Sequence, residues 1–232
     1  MLYIISIVLL LVAYVYIIPH MKDMKNTKFW NCVFSVSIFG SYLCVVFRVY
    51  FSVGFYDWNF QNTLPVANVS PFMFTAIAFM HLLPHKVKKH FNLLISLLSV
   101  GMLISPILGC VYNAVINYKF HVHFLLDYIA HILLSLWGVY MVKSRQVELT
   151  KRNCIISGSI IISAAVIMLI LNLIFDTAFF GLSLNGKHNI YNNVLTSSSY
   201  LSATLYFSGL IGVLVTGYFY SLLFTRKIMQ AK

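Results

Sequence analysis

The sequence predicts an all-α membrane protein, a polytopic bundle of about seven transmembrane helices with the N-terminus outside and the C-terminus cytoplasmic. Three observations predict it. Apolar runs of about twenty residues recur along the chain, the length that carries a helix across a hydrocarbon core of roughly 30 Å. The 232 residues are 60% hydrophobic and 9% charged, and the apolar residues line whole helices rather than one face. Most of the sixteen Lys and Arg fall in alternate gaps between the runs, as the positive-inside rule requires.

The expected spans lie near 2–18, 30–53, 65–83, 91–112, 122–142, 153–175 and 197–224. The gap after span one carries Lys22, Lys25 and Lys28, and the gap after span three carries Lys86, Lys88 and Lys89. Lys143, Arg145, Lys151 and Arg152 follow span five, and Arg226, Lys227 and Lys232 form the tail. The remaining gaps hold only Lys119 and Lys187. Span one is expected to be retained as a helix. Met1-Leu2-Tyr3-Ile4 is no basic n-region, and no small-x-small cleavage site precedes Pro19-His20.

The longest gaps, about 54–64 and 176–196, are too short for a soluble domain, so residues 1–232 read as one membrane domain. The net charge of +11 is dispersed in short loops, where it sets topology and meets anionic headgroups; it does not point to nucleic acid. Cys32, Cys44, Cys110 and Cys154 form no CxxC pair, and neither a metal site nor a cofactor is expected. The expected setting is a cell membrane crossed several times, with membrane lipids as surroundings and a lipid or small molecule as ligand.

Ionisable and amide side chains inside spans mark candidate sites, because burying them in hydrocarbon is costly without a partner. Arg48 lies about five residues from the outer end of span two, roughly 8 Å deep at 1.5 Å per residue. Asn68 and Ser70 open span three; Asn172 and Asp176 close span six. In span five, His123, Asp127, His131 and Ser135 recur every four residues and share one helical face. A carboxylate one turn from an imidazole fixes its tautomer and raises its basicity, the arrangement of a general base. The same spacing equally describes a polar helix seam in which Asp127 pairs with Arg48 and His131 bonds a neighbouring hydroxyl.

At Leu64-Pro65-Val66-Ala67-Asn68-Val69-Ser70-Pro71, either Ser70 caps the helix proper, leaving an irregular entry that walls an outer cavity, or the segment is a simple helix start with Pro in its first turn. The amide-rich loop 185–193, with Tyr191 and Asn192, is either a solvated loop or a lid over that cavity.

The order of these landmarks resembles the YwaF-like bacterial integral membrane proteins and, more distantly, a eukaryotic multipass acyltransferase acting on ether phospholipids. The resemblance runs from about Trp30 to Phe224. It rests on the Arg-containing aromatic second span with Gly54-Phe55-Tyr56-Asp57-Trp58, the Leu64-Pro65-Val66 entry, His131, and Asn189-Ile190-Tyr191-Asn192. It implies that His131 matches, by its position in span five, the histidine that acts beside a Cys in the acyltransferase relative. The family's acyl-accepting Cys has no counterpart, since 67–73 read Ala-Asn-Val-Ser-Pro-Phe-Met and Ser70 is the nearby hydroxyl. Serine is the poorer nucleophile and needs stronger activation.

Two functions follow as expectations. In the first, an outward-facing polar cavity binds a lipid or small molecule, or the chain serves as an accessory subunit. Arg48, Asn68, Asn172, Asp176, Tyr191 and Asn192 are then the binding residues. In the second, the same cavity is the site of a lipid acyltransferase or hydrolase, with Ser70 as nucleophile, His131 as base and Asp127 as its orienter. Ser70 and His131 within hydrogen-bond reach is what separates the two.

Overall fold

The computed structural model describes residues 8, 11–21, 24–57, 69–103, 122–175, 177, 179–182 and 199–229, of which 13, 45, 48–57, 81, 122–127, 181, 199–202 and 226–229 are described by backbone alone. All regular structure among the described residues is helical. A π-turn at Ala13–Ile17 and one α-turn at Ile18–His20 lead into α1 (Thr27–Asp57). Then come α2 (Val69–Phe79), α3 (His85–Gly101), α4 (Val122–Lys143), α5 (Lys151–Phe175) and α6 (Ser199–Met229).

Local chemistry sets the ends. The Asn26 side chain accepts the Phe29 N–H at 3.1 Å and caps α1, and Thr150 does the same for α5 through the Asn153 N–H at 3.2 Å. Pro84 precedes α3. At the end of α4, the Gln146 N–H bonds the Met141 carbonyl and the Arg145 N–H that of Val142, with Arg145 left-handed at φ 56°. That pattern is a Schellman closure, usually made by glycine.

The helix in the region of span four, expected near 91–112, is α3, which begins at His85, takes Lys86, Lys88 and Lys89 into its first turns and ends at Gly101. Lysine stems lie along a helix while their ammonium groups reach water, so charge does not mark where that helix starts.

Helix α4 is the hub, packed against α1, α3 and α6, while α3 also meets α5 and α6. The core accordingly centres on Leu93 to Val100 of α3 and Ala130 to Val142 of α4. Gly101 and Gly217 bring α3 and α6 together. A Cβ on Gly101 would strike the Val213 carbonyl, and one on Gly217 the Leu97 carbonyl. Small residues allow this close approach. These two contacts also make α3 and α6 antiparallel.

Two helices, Lys151–Phe175 and Ala203–Thr225 within α6, are long and apolar enough to cross a membrane. Only 17% of an eighteen-residue apolar stretch in each is buried, and Ile167, Ile170, Ile174 and Phe175 of α5 stand exposed. Apolar residues on every side, left uncovered, suit hydrocarbon better than water.

The basic segments gather at one end. Lys143 Nζ donates to the Ile18 carbonyl at 2.7 Å, Asn31 Nδ2 to Gln146 Oε1 at 2.6 Å, and Lys89 Nζ to Glu148 Oε2 at 2.5 Å. These bonds join the gaps around residues 18–31, 83–90 and 143–150. Antiparallel packing carries positions Arg226 and Lys227 of α6 to that same end.

Candidate functional site

Ser70 and His131 meet. Ser70 Oγ lies 2.9 Å from His131 Nε2, a hydrogen bond between α2 and α4 across 61 residues of sequence. Both side chains are partly buried. The expectation that Ser70 caps the helix is corrected: α2 already includes Val69 and Ser70, and the hydroxyl is turned to the imidazole. The Phe74 ring, one turn below Ser70, stands edge-on to His131 with centroids 5.2 Å apart at 82°. Phe74 is itself 2% exposed and packs on Tyr42 of α1, so the imidazole rests against a fixed wall.

With the proton on Nδ1, Nε2 accepts the serine hydroxyl proton, the direction that general-base activation requires. His131 lies twelve residues before Lys143, about 18 Å along α4 from the basic end. One turn further in, Ser135 is buried, and the Tyr14 hydroxyl of the N-terminal turns donates to the Leu103 carbonyl at 2.6 Å.

The other expected residues divide in two groups. Arg48 and Asp127 occupy helical positions in α1 and α4, Asp127 one turn before His131, and their side chains lie outside the described residues, as do Asn68, Asp176, Tyr191 and Asn192 altogether. Asn172 is described and its amide is engaged locally. Its Nδ2 donates to the Phe179 carbonyl at 2.9 Å and to the Leu182 carbonyl, while Oδ1 accepts from Thr177 and from the Phe179 N–H, each at 2.8 Å. These bonds hold Phe180 in a left-handed conformation, φ 58°, with its ring on Phe72 two residues beyond Ser70. Asn172 therefore shapes the surroundings of the pair through Phe180, a part that its position at a helix end did not disclose.

A second feature was missed by the sequence reading. A cavity of about 800 Å³ lies between α1, α2, α3 and α4, lined by Lys28, Asn31, Lys88 and Asn92 on its polar side. Val36, Phe39, Ile77 and Trp137 contribute to its apolar wall. The signal was present in α1: Lys28, Asn31, Ser35 and Phe39 step by three and four residues along one face. Ile77 lies seven residues beyond Ser70 and Trp137 six beyond His131, so α2 and α4 run parallel and the cavity sits about 10 Å nearer the basic end.

No protein-family model matches the chain, and neither does any curated protein or solved structure.

Proposed function

We propose that the chain is a polytopic membrane protein that cleaves or transfers acyl groups of membrane lipids, with Ser70 as nucleophile and His131 as general base. The Ser70–His131 hydrogen bond carries this reading. Ser70 Oγ attacks the ester carbonyl while His131 Nε2 takes its proton. The imidazolium then returns the proton to the departing alcohol, leaving an acyl-serine. Water or a second lipid hydroxyl, deprotonated by the same imidazole, resolves that ester and restores Ser70. Asp127, at i−4 to His131, is assigned to orient the ring, and Arg48 to the lipid phosphate or the oxyanion. The resemblance adds only His131 to this reading, since the family's acyl-accepting Cys has no counterpart and Ser70 is the nearby hydroxyl.

The gathering of basic segments at one end supports an orientation with that end cytoplasmic, the N-terminus outside and the Ser–His pair in the outer half of the bilayer. In cells carrying a cysteine-free variant, cysteine introduced at Asn59 or Asn185 is expected to react with an impermeant thiol reagent, and cysteine at Lys151 is not. Labelling at 151 in intact cells would reverse the orientation.

The chemistry is tested by a fluorophosphonate probe on the purified protein and by lipid profiling of expressing cells. Wild type is expected to label and to shift the lysolipid-to-diacyl ratio. Ser70→Ala removes labelling, and His131→Ala slows it by roughly 10² or more. If wild type and Ser70→Ala neither label nor differ in lipid profile, Ser70 is no nucleophile.

A second reading keeps the site and drops the chemistry: lipid or small-molecule binding, or an accessory role. The favouring observation is the packing of Phe74 on His131, together with a cavity whose lining omits both Ser70 and His131.

A further inference from the structure

The cavity between α1, α2, α3 and α4 and the Ser70–His131 pair lie in one line. On α2, Ser70, Phe74 and Ile77 follow at steps of four and three and share one face. Ser70 bonds His131, the Phe74 ring stands against His131, and Ile77 lines the cavity. On α1 the Tyr42 ring lies 5.7 Å from that of Phe74, and the next residue, Leu43, already walls the cavity. Helix α1 runs antiparallel to α2, since Tyr42 meets Phe74 and Phe39 meets Phe79. The cavity therefore begins at the level of Phe74, and one aromatic layer separates it from His131. Phe74 is 2% exposed and held by packing, and its χ1 has other staggered wells.

Along α1 the groups follow the order of a phospholipid. The helical position of Arg48, assigned above to the phosphate, lies five residues beyond Leu43 on the side away from the basic end. The Ser–His pair stands between, at the height of an ester, and Leu43, Gly40, Phe39, Val36 and Cys32 lead on towards the basic end. Val36 and Phe79, 67% and 50% exposed, flank the cavity where α1 and α2 leave it open to the side. We infer that this cavity is the acyl-chain pocket of the Ser70 site, that Phe74 is its gate, and that the substrate ester carries a long chain. The inference rests on the Ser–His reading. Phe74 lies about 6 Å below Ser70, and the lining from Leu43 to Cys32 runs about 16 Å further at 1.5 Å per residue. An extended alkyl chain with C–C bonds of about 1.5 Å advances roughly 1.3 Å per carbon, so about 17 carbons reach Cys32. A chain seated there gains little over one in the bilayer, both surroundings being apolar. Its effect is positional: the seated chain holds the ester carbonyl at Ser70 Oγ, while a chain of about four carbons ends above Phe74.

The test compares butyl and hexadecyl fluorophosphonates on the full chain in detergent micelles. Ser70 Oγ bonds to phosphorus, fluoride leaves with the P–F bond, and the hydroxyl proton passes through His131 to solvent. The hexadecyl probe is expected to label Ser70 at least tenfold faster than the butyl probe. Micelles concentrate the longer probe for every variant alike, so the change in this ratio between variants is what is read. Gly40 lines the cavity with nothing within 4 Å of an added Cβ, so Gly40→Leu fills chain space with little clash and should lower the ratio at least tenfold. Phe74→Leu opens the gate and should raise it several-fold, whatever it does to His131, which serves both probes. Cys32, exposed and lining the cavity, gives a second readout in a chain carrying Cys44→Ala, Cys110→Ala and Cys154→Ala. Once excess probe is removed, the hexadecyl adduct should slow maleimide reaction at Cys32 at least tenfold and the butyl adduct should not. Ser70→Ala, which forms no adduct, should show no such protection. A ratio that fails to move as stated in either variant, or equal protection of Cys32 by both adducts, overturns the inference and leaves the Ser–His reading standing. Absence of labelling by both probes brings down the Ser–His reading, and the inference with it.

Discussion

Two helix contacts in this bundle are built on opposite plans. Between α3 and α6, Gly101 and Gly217 let backbone meet backbone, with carbonyl oxygens where side chains would stand. Between α2 and α4, a serine hydroxyl and an imidazole meet at 2.9 Å with an aromatic ring beneath them. The first contact leaves no room for a side chain or a substrate. The second is held apart by side chains and presents a nucleophile and a base to each other. The difference teaches where each kind of sensitivity should sit: stability in the glycine contact, chemistry in the polar one.

The largest effect should come from closing the first contact to its neighbour. Gly217→Ala drives a methyl group into the Leu97 carbonyl, and a backbone oxygen inside a helix cannot rotate away. Overpacking of this kind costs about 3 kcal/mol, read as a lowered thermal midpoint in detergent. A midpoint unchanged by Gly217→Ala would break the comparison, since the helices would then not be in backbone contact.

Ser70→Ala should do far less to stability while removing probe labelling. On the proposed membrane reading, a single side-chain hydrogen bond between helices is worth roughly 0.6 kcal/mol on average. A stability loss as large as that of Gly217→Ala would recast the Ser–His pair as a structural clasp and sharpen the second reading of the site.

The smallest effect belongs to the exposed bridge at the basic end. The Lys89 hydrogen bond and positive charge hold the Glu148 carboxyl below the usual carboxylate range. A depressed folded value means that the bridge's contribution is present above the ordinary carboxylate pKa and fades as pH falls through the lowered one. Thermal midpoints of wild type and Glu148→Gln should therefore differ slightly near neutral pH and converge on acidification, and also at high salt. A difference that grows as pH falls would contradict the assignment.

Much of this was legible in the sequence, and for identifiable reasons. Long apolar runs specify helices because each must bury or shelter its own backbone, so α1, α4, α5 and α6 fall close to their expected limits. His131 and Ser70 were legible as candidates because each is a polar group among apolar residues, and the family resemblance set them beside each other. The start of α3 was not, since lysines tolerate a helix as readily as a loop. Nor was the use of Asn172: an amide at a helix end reads alike whether it faces a ligand or its own chain. The cavity stayed hidden because it is assembled from four helices, and only the α1 face of it has a pattern in sequence.

The hydrogen bond from Lys143 to the carbonyl of Ile18 spans 125 residues, and the neighbouring bond from Asn31 to Gln146 spans 115. A ribosome making 5–20 residues per second needs roughly 6–25 s to travel the first of these intervals. During that time the N-terminal turns and the start of α1 have been synthesised but lack the side chains that fasten them. The basic end thus acts as a late clasp in biosynthesis, shut when the turn after α4 is made. Chains halted before residue 143 should expose Lys28 and Asn31 to the quality-control proteases that the finished protein escapes.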